Sequence, residues 1–109
     1  MPASKAVTFP LCLLALAGPA VAADAAAGRA KVRAVCVNCH GENGVAVLPG
    51  AANLAGQQPE YLRAQLRAFR SGSRKDPQMS VVAKTLTDAD IDNLAEWYSA
   101  VKVTVEAPP

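Results

Sequence analysis

The sequence has 109 residues, which is enough for one small domain. Its formal net charge of +2 is close to neutral and lacks the strong basic excess typical of nucleic-acid-binding proteins. Aromatic residues make up only 5% of the chain, so a protein this small builds a limited hydrophobic core by itself. We therefore expect one domain that gains apolar bulk from a bound group, and no nucleic-acid partner.

The first 22 residues have the pattern of a secretory signal peptide. Lys5 precedes an apolar run over residues 6–17, and an A-x-A pattern ends at Ala22. The run is shorter than the ~20 apolar residues that a membrane span needs, and no later segment reaches that length. The sequence thus predicts cleavage after Ala22 or Ala23, export to the periplasm, and a mature protein that is not integral to the membrane.

Cleavage would leave residues 23–109 as a single domain with a net charge of +1, because Lys5 is the only charged residue removed. Cys12 would leave with the signal, and too few apolar residues precede it to suggest a lipidation site. The mature chain would then have two cysteines. We expect its tail, from about residue 103, to be frayed.

A first helix is predicted from Asp24, which suits an N-cap, to about Cys39. Small and apolar residues recur along it at helical spacing and form one face: Gly28, Val32, Val35, Cys36 and Cys39. A glycine inside a helix costs roughly 1 kcal/mol against alanine, so Gly28 suggests a close packing contact. Residues 41–58 are rich in glycine and lack periodicity, which predicts a structured loop.

Three further helical segments are predicted after this loop. Pro59 suits the first position of a second helix, which Gly72 ends. A short helical turn should follow over residues 80–85. Thr87 and Asp90 form a capping-box pattern that begins the last helix. The apolar stripe of the second helix comprises Leu62, Leu66 and Phe69, and that of the last helix comprises Ile91, Leu94, Ala95, Tyr98 and Val101. Together these segments indicate an all-α domain.

The strongest motif is the C-x-x-C-H run at residues 36–40, the attachment signature of a c-type haem. Its two thiols can form thioether bonds to the haem vinyl groups, and its imidazole can ligate the iron. A thioredoxin-like redox pair would need a βαβ setting, and a structural zinc site would need four protein ligands. The mature chain meets neither condition. The sequence therefore predicts one covalent haem c held by Cys36, Cys39 and His40.

The composition of the mature chain limits the candidates for the second iron ligand. His40 is the only histidine, so two histidines from one chain cannot ligate the iron. Met79 is the only methionine after signal cleavage and is the candidate distal ligand, although a lone methionine also serves to fill gaps in a core. His/Met ligation raises the haem potential and suits electron carriers, and a filled sixth position keeps oxygen and peroxide from the iron.

This pattern favours electron transfer over catalysis and leaves two alternatives open. The first is a haem enzyme or gas sensor in which Met79 is a labile ligand. The second is a haem-bearing subunit of a larger oxidoreductase complex. Both alternatives have the same covalent haem. In the first, an external ligand can bind the iron; in the second, the protein is permanently bound to partner chains.

Four arginines follow near-helical spacing on the second helix and just beyond it: Arg63, Arg67, Arg70 and Arg74. Like charges one turn apart destabilise a helix mildly. The stripe could be a solvated face, a docking surface for an acidic redox partner, or the source of one group that pairs with a haem propionate. We expect the isolated protein to be a monomer. Its electron donor and acceptor should be proteins that dock through small interfaces, as redox partners typically do.

Over essentially the whole mature chain, the residues resemble the class I cytochromes c, specifically the small soluble bacterial monohaem type. The matching pieces are the helix at Gly28, Cys36–Gly41, residues 54–57, 61–62, 65–66 and 69–72, Met79, and residues 86–88 through 97–98. The resemblance implies a fold of about four helices wrapped around one covalently attached haem. It also implies a one-electron carrier, not an enzyme, with Met79 as distal ligand. Gly28 would let the first helix cross the last one near Leu94 and Trp97.

One departure from the family pattern concerns the loop that holds the axial histidine. The family usually has a proline two residues before Leu54, and the carbonyl of that proline accepts a hydrogen bond from the histidine. Here Ala52 occupies that position. Because an alanine carbonyl can accept the same bond, we expect Ala52 to serve His40 from a less rigid loop.

Overall fold

The structure is a computed structural model that describes residues 1–7, 15, 17–19 and 21–109. Most of the apolar run of the predicted signal peptide, including Cys12, lies outside these residues. The regular structure of the described residues is entirely helical, without a strand. None of the helices in this described part is long and apolar enough to cross a membrane.

The first helical stretch consists of three consecutive segments: α1 (Ala25–Lys31), a π-helical turn (Val32–Cys36) and α2 (Val37–His40). As predicted, the side chain of Asp24 caps its start by accepting hydrogen bonds from two amides of the first turn. The π turn was not predicted. Because a π-helix rotates less per residue than an α-helix, the turn moves Val35 away from the buried face and Cys36 toward it.

The predicted face of this helix is therefore only partly correct. Val32 is fully buried, but the side chain of Val35 is 42% exposed. Both motif cysteines are partly buried. The π turn thus ends at the first cysteine of the C-x-x-C-H run, which agrees with the frequent occurrence of such turns at functional sites.

Three further helices follow: α3 (Pro59–Ser71), α4 (Met79–Lys84) and α5 (Asp88–Ala100). Pro59 is the first residue of α3 and Gly72 ends it with a φ of +86°, a conformation that glycine adopts without strain. The predicted capping box begins α5. The helix α4 begins at Met79, one residue earlier than predicted.

The core forms where α1 and α3 pack against α5. It contains seven buried residues: Val32, Leu62, Leu86, Ile91, Leu94, Ala95 and Tyr98. Four of the five residues predicted for the stripe of α5 belong to it, while Val101 lies just beyond the end of the helix. At the other end of the chain, Val103 contacts Gly56, so the first part of the tail packs against the loop.

Gly28 marks the crossing of α1 and α5. A Cβ atom at this position would collide with the backbone carbonyl of Asn93 and lie 3.0 Å from the Cβ of Trp97. The side chain of Asn93 also accepts a 2.7 Å hydrogen bond from the amide of Asp24. The close approach inferred from Gly28 is therefore present, with Asn93 and Trp97 as the contacting residues.

The arginines of α3 face carboxylates of α5. Arg63 pairs with Asp92 and Glu96, Arg67 pairs with Asp92, and Arg70 pairs with Asp88. Surface ion pairs of this kind are individually weak, but several together orient the two helices. Their positive charge is largely neutralised within the protein, which weakens the interpretation of this stripe as a docking surface. Arg74 lies beyond α3 and outside this set.

The start of α5 should make the fold sensitive to acid. The Arg70 guanidinium holds the pKa of Asp88 below its usual value. Partial burial raises the pKa of Asp90, but hydrogen bonds from Thr87 and Lys31 outweigh that effect, so its pKa is also lowered. Both carboxylates therefore stabilise the folded state above about pH 4, and this stabilisation is lost as the pH falls through their folded-state pKa values.

We expect the urea midpoint of the haem-loaded protein to be steady near neutral pH and to fall below about pH 4. Asp88→Asn should lower the midpoint at pH 7 and reduce its decrease between pH 5 and pH 3. An unchanged acid decrease in this variant would show that Asp88 does not contribute to it.

Candidate haem site

A cleft of about 490 Å³ lies beside the core. Its lining includes all four residues predicted for the site: Cys36, Cys39, His40 and Met79. The remaining lining is mainly apolar and includes Leu54, Leu62, Leu66, Phe69, Val82 and Leu94. Sites for small molecules and cofactors usually have volumes of about 300–1,000 Å³ and apolar walls, so the cleft is of a suitable kind for a haem.

The two motif cysteines carry free thiols at the wall of this cleft. Burial raises the pKa of the Cys36 thiol to about 11. Within the described residues, no three side chains of histidine, cysteine, aspartate or glutamate are grouped to hold a metal ion. The geometry there offers no ligand set for the zinc alternative.

His40 is the last residue of α2, and its ring is oriented by the following loop. Its Nδ1 lies 2.7 Å from the carbonyl oxygen of Ala52. A carbonyl can only accept, so this contact selects the neutral tautomer with the proton on Nδ1, which leaves the lone pair of Nε2 for a metal. The hydrogen bond expected of Ala52 is thus formed without the proline that usually stands there.

The same loop is tied to the motif through backbone hydrogen bonds. The amides of Val47 and Leu48 both donate to the carbonyl of Cys39, at 3.0 and 3.3 Å. These bonds bring the chain back toward the cleft before it reaches Ala52. They explain how a loop without proline can still present its carbonyl to the histidine.

Two neighbouring side chains of α5 hold the segment directly after His40. The indole of Trp97 donates a 2.7 Å hydrogen bond to the carbonyl of Glu42, and the hydroxyl of Tyr98 donates a 3.4 Å bond to the carbonyl of Gly41. The carbonyl of Gly41 also accepts from the amide of Gly44 at 3.3 Å, whereas the carbonyl of Glu42 would otherwise need water or another donor. The last helix therefore positions the backbone that carries the candidate iron ligand.

Glu42 also connects the segment after His40 to the first helical stretch, a contact that the sequence analysis did not predict. Its carboxylate pairs with Arg29 and Arg33 of the first helical stretch, and hydrogen bonds from both guanidinium groups lower its pKa. The Arg29 guanidinium also lies 5.2 Å from the centre of the Trp97 ring. The partners are separated by nine and thirteen positions across a helix end, so no local spacing indicates the contact.

Met79 reaches the cleft as the first residue of α4 and is partly buried. Asp76 caps this start, because its Oδ1 accepts from the amides of Gln78 and Met79 at 2.9 and 2.8 Å. These two bonds lower the pKa of Asp76. The Asp-x-x spacing before Met79 is a local capping pattern that the sequence analysis could have used.

Residues 23–97 match the protein family described as cytochrome C oxidase, cbb3-type, subunit III. The chain belongs to the class I cytochromes c. It is 42% identical over 82 residues to cytochrome c-554(548) of Halomonas halodenitrificans, covering 72% of this chain and 98% of that protein. It is also 42% identical over 69 residues to a thiosulfate dehydrogenase electron acceptor of Stutzerimonas stutzeri, covering 61% of this chain and 32% of that protein.

A solved structure supports the same assignment. The reduced recombinant cytochrome c4 from Pseudomonas stutzeri superimposes with a TM-score of 0.69 at 38% sequence identity. The match covers 77% of this chain and 48% of the other, so the chain spans about half the length of that cytochrome c4. This likeness and the family match confirm the predicted all-α class I cytochrome c fold.

These comparisons also confirm the predicted cofactor and class of function. The cytochrome binds haem c covalently, transfers electrons through it, and is not an enzyme. The residues of the cleft fit such a group: they supply two reduced thiols, an imidazole nitrogen with a free lone pair, a thioether sulfur and an apolar wall.

Proposed function

We propose that this cytochrome is a periplasmic one-electron carrier whose haem is attached through Cys36 and Cys39 and ligated by His40 and Met79. The observation that supports the proposal most directly is that these four side chains line a single cleft, although 39 positions separate His40 from Met79. When bound, the haem supplies a couple between Fe(III) and Fe(II) that exchanges one electron without forming bonds to a substrate.

The protein residues set the conditions for this exchange. His40 offers Nε2 in a fixed orientation, because its Nδ1–H donates to Ala52. Met79 is held at the start of α4 by the cap from Asp76. Axial methionine and an apolar surrounding both favour a high reduction potential, since they stabilise the less charged reduced iron.

The periplasmic location follows from the signal-peptide pattern of residues 1–22. We infer that the electron donor and acceptor are redox proteins of respiratory or dehydrogenase systems. The name of the thiosulfate dehydrogenase electron acceptor is in keeping with such a donor. Of the arginines considered for docking, Arg63, Arg67 and Arg70 already pair with carboxylates of α5, which weakens their case for an external contact.

Optical spectroscopy of the purified haem-loaded protein tests the ligation. We expect the oxidised protein to show the charge-transfer band of methionine sulfur bound to ferric iron. We also expect the reduced protein to resist carbon monoxide, because a filled sixth position must first open. A missing band, or ready carbon monoxide binding, would instead support the gas-sensor or enzyme alternative.

A haem-bearing subunit of a larger complex is the second candidate function. It is favoured by the description of the matched family, which names a subunit of an oxidase. Size-exclusion chromatography of native extracts separates the two candidates. Elution at the size of a monomer supports the free carrier, whereas elution with stoichiometric partner chains supports the subunit.

A further inference from the structure

The polar lining of the cleft contains one permanently charged cation. Among the described residues that line it, Arg74 is the only arginine or lysine. Haem c carries two propionate carboxylates on the edge of its ring. A carboxylate beside an apolar wall is costly unless a cation or hydrogen-bond donor faces it. Side-chain donors such as Gln57 and Tyr61 also line the cleft, but only Arg74 among the described lining residues can offset the charge of a propionate.

The guanidinium of Arg74 is oriented by two other residues of the cleft. Its Nη1 donates to the side-chain oxygen of Gln65 at 2.7 Å, and its central carbon lies 4.5 Å from the centre of the Phe69 ring. The amide of Arg74 donates to the carbonyl of Ala68 at 3.1 Å, which ties the loop to α3. A long side chain that would otherwise be mobile is thereby held at the cleft.

Arg74 also differs from the other arginines of its stripe in its partners. Arg63, Arg67 and Arg70 each pair with a carboxylate of α5, but no carboxylate of the described residues lies within salt-bridge distance of Arg74. The nearest acid on its loop is Asp76, whose Oδ1 already accepts two amides. A guanidinium has five N–H donors, so Arg74 keeps most of them available.

We propose that Arg74 binds a propionate of the haem through a charge-assisted and bidentate contact. The inference rests on the proposed function, because it takes the cleft as the haem site. A cation beside a propionate offsets its negative charge, and an uncompensated negative charge stabilises the oxidised iron. Arg74 therefore raises the reduction potential, in addition to helping to hold the cofactor.

The test is the reduction potential of the haem-loaded protein, measured by voltammetry as a function of pH. Arg74→Gln should lower the potential, with a change of about two- to fivefold in the reduction equilibrium constant, as for a partly exposed ion pair. It should also move the inflection from propionate ionisation to higher pH. Arg74→Lys keeps the charge but not the planar fork, so it should lie between Arg74→Gln and the wild type.

Two control variants separate this contact from a general effect of surface charge. Arg67→Gln removes an arginine that pairs with Asp92, and Lys75→Gln removes the positive charge next to Arg74 in the loop. Other ionisable side chains line the cleft, namely Asp76, Tyr61 and Tyr98, besides the motif cysteines and His40. The inflection must therefore be unchanged in the control variants if it reports the propionate.

Each outcome is decisive. A lower potential and a displaced inflection in Arg74→Gln alone support the contact. Equal shifts in Arg74→Gln and the controls, or no shift, would overturn it. The methionine charge-transfer band is recorded for every variant: its absence in the wild type contradicts the proposed ligation, whereas an intact band with an unshifted potential contradicts only the role of Arg74.

Discussion

Replacement of Met79 by alanine should lower the reduction potential and open the iron to external ligands. The side chain is partly buried at the start of α4 and lines the same cleft as His40. If its sulfur ligates the iron, its loss removes the ligand that favours the reduced state. We expect the reduction equilibrium constant to fall by more than about tenfold, which corresponds to about 59 mV for one electron.

Met79→Leu distinguishes ligation from packing. Leucine nearly conserves the volume of methionine but has no sulfur, and such swaps usually cost little stability. If Met79 is a ligand, both variants lose the charge-transfer band and bind carbon monoxide when reduced. If it only fills space, the leucine variant keeps the spectrum and potential of the wild type while the alanine variant loses stability.

Local signals in the sequence predicted most of the fold. Asp24, Pro59, Gly72 and the Thr87–Asp90 pair each determine a helix end by their own chemistry, and all four are found at those ends. The apolar stripe of α5 was also predicted, because its residues recur with a clear helical period. These features depend on residues only a few positions apart, so no tertiary information is needed to find them.

The unpredicted features depend on contacts between distant residues. The π turn that ends at Cys36 is not indicated by local propensity, because it depends on how Val32 packs in the core with residues of distant helices. The pairing of the α3 arginines with Asp88, Asp92 and Glu96 depends on how two helices lie together. In isolation, the arginine stripe was compatible with a solvated face, a docking surface or a contact to a haem propionate, and the facing carboxylates show that three of its arginines form internal ion pairs.

In the haem site too, features that depend on nearby residues were predicted and most features that depend on distant contacts were not. The C-x-x-C-H run indicated attachment because its chemistry is local. The support of His40 by Ala52 could be anticipated only through the family resemblance, and the hold of Trp97 and Tyr98 on the following carbonyls was missed. An indole and a phenol at a helix end suggest only burial, since their hydrogen-bond partners are more than fifty positions away.

Replacement of Gly28 by alanine should destabilise the protein, although alanine is the better helix former. Propensity alone would stabilise a helix by about 1 kcal/mol. Against this, the added Cβ would collide with the carbonyl of Asn93, a backbone atom that cannot rotate away. Helices α1 and α5 would have to separate, and overpacking of this kind typically costs about 1–3 kcal/mol.

The consequences should extend from the helix crossing to the haem. Separation of α1 from α5 strains the hydrogen bond between Asp24 and Asn93, and it disturbs the helix whose Trp97 holds the segment after His40. For a domain of this size, each kcal/mol of lost stability lowers the midpoint by about 4–8 °C. Thermal unfolding of the haem-loaded variant, followed by circular dichroism and by absorption of the haem, measures both effects.

A series of substitutions at this position makes the test independent of helix propensity. Stability should decrease from glycine to alanine to valine, because the steric conflict grows with the side chain. Ala27→Gly, at an exposed neighbouring position, should cost only the propensity term of about 1 kcal/mol and leave the haem spectrum unchanged. An alanine variant at least as stable as the wild type would mean that α1 and α5 are not in backbone contact at Gly28, and the hold of α5 on the segment after His40 would then need a different support.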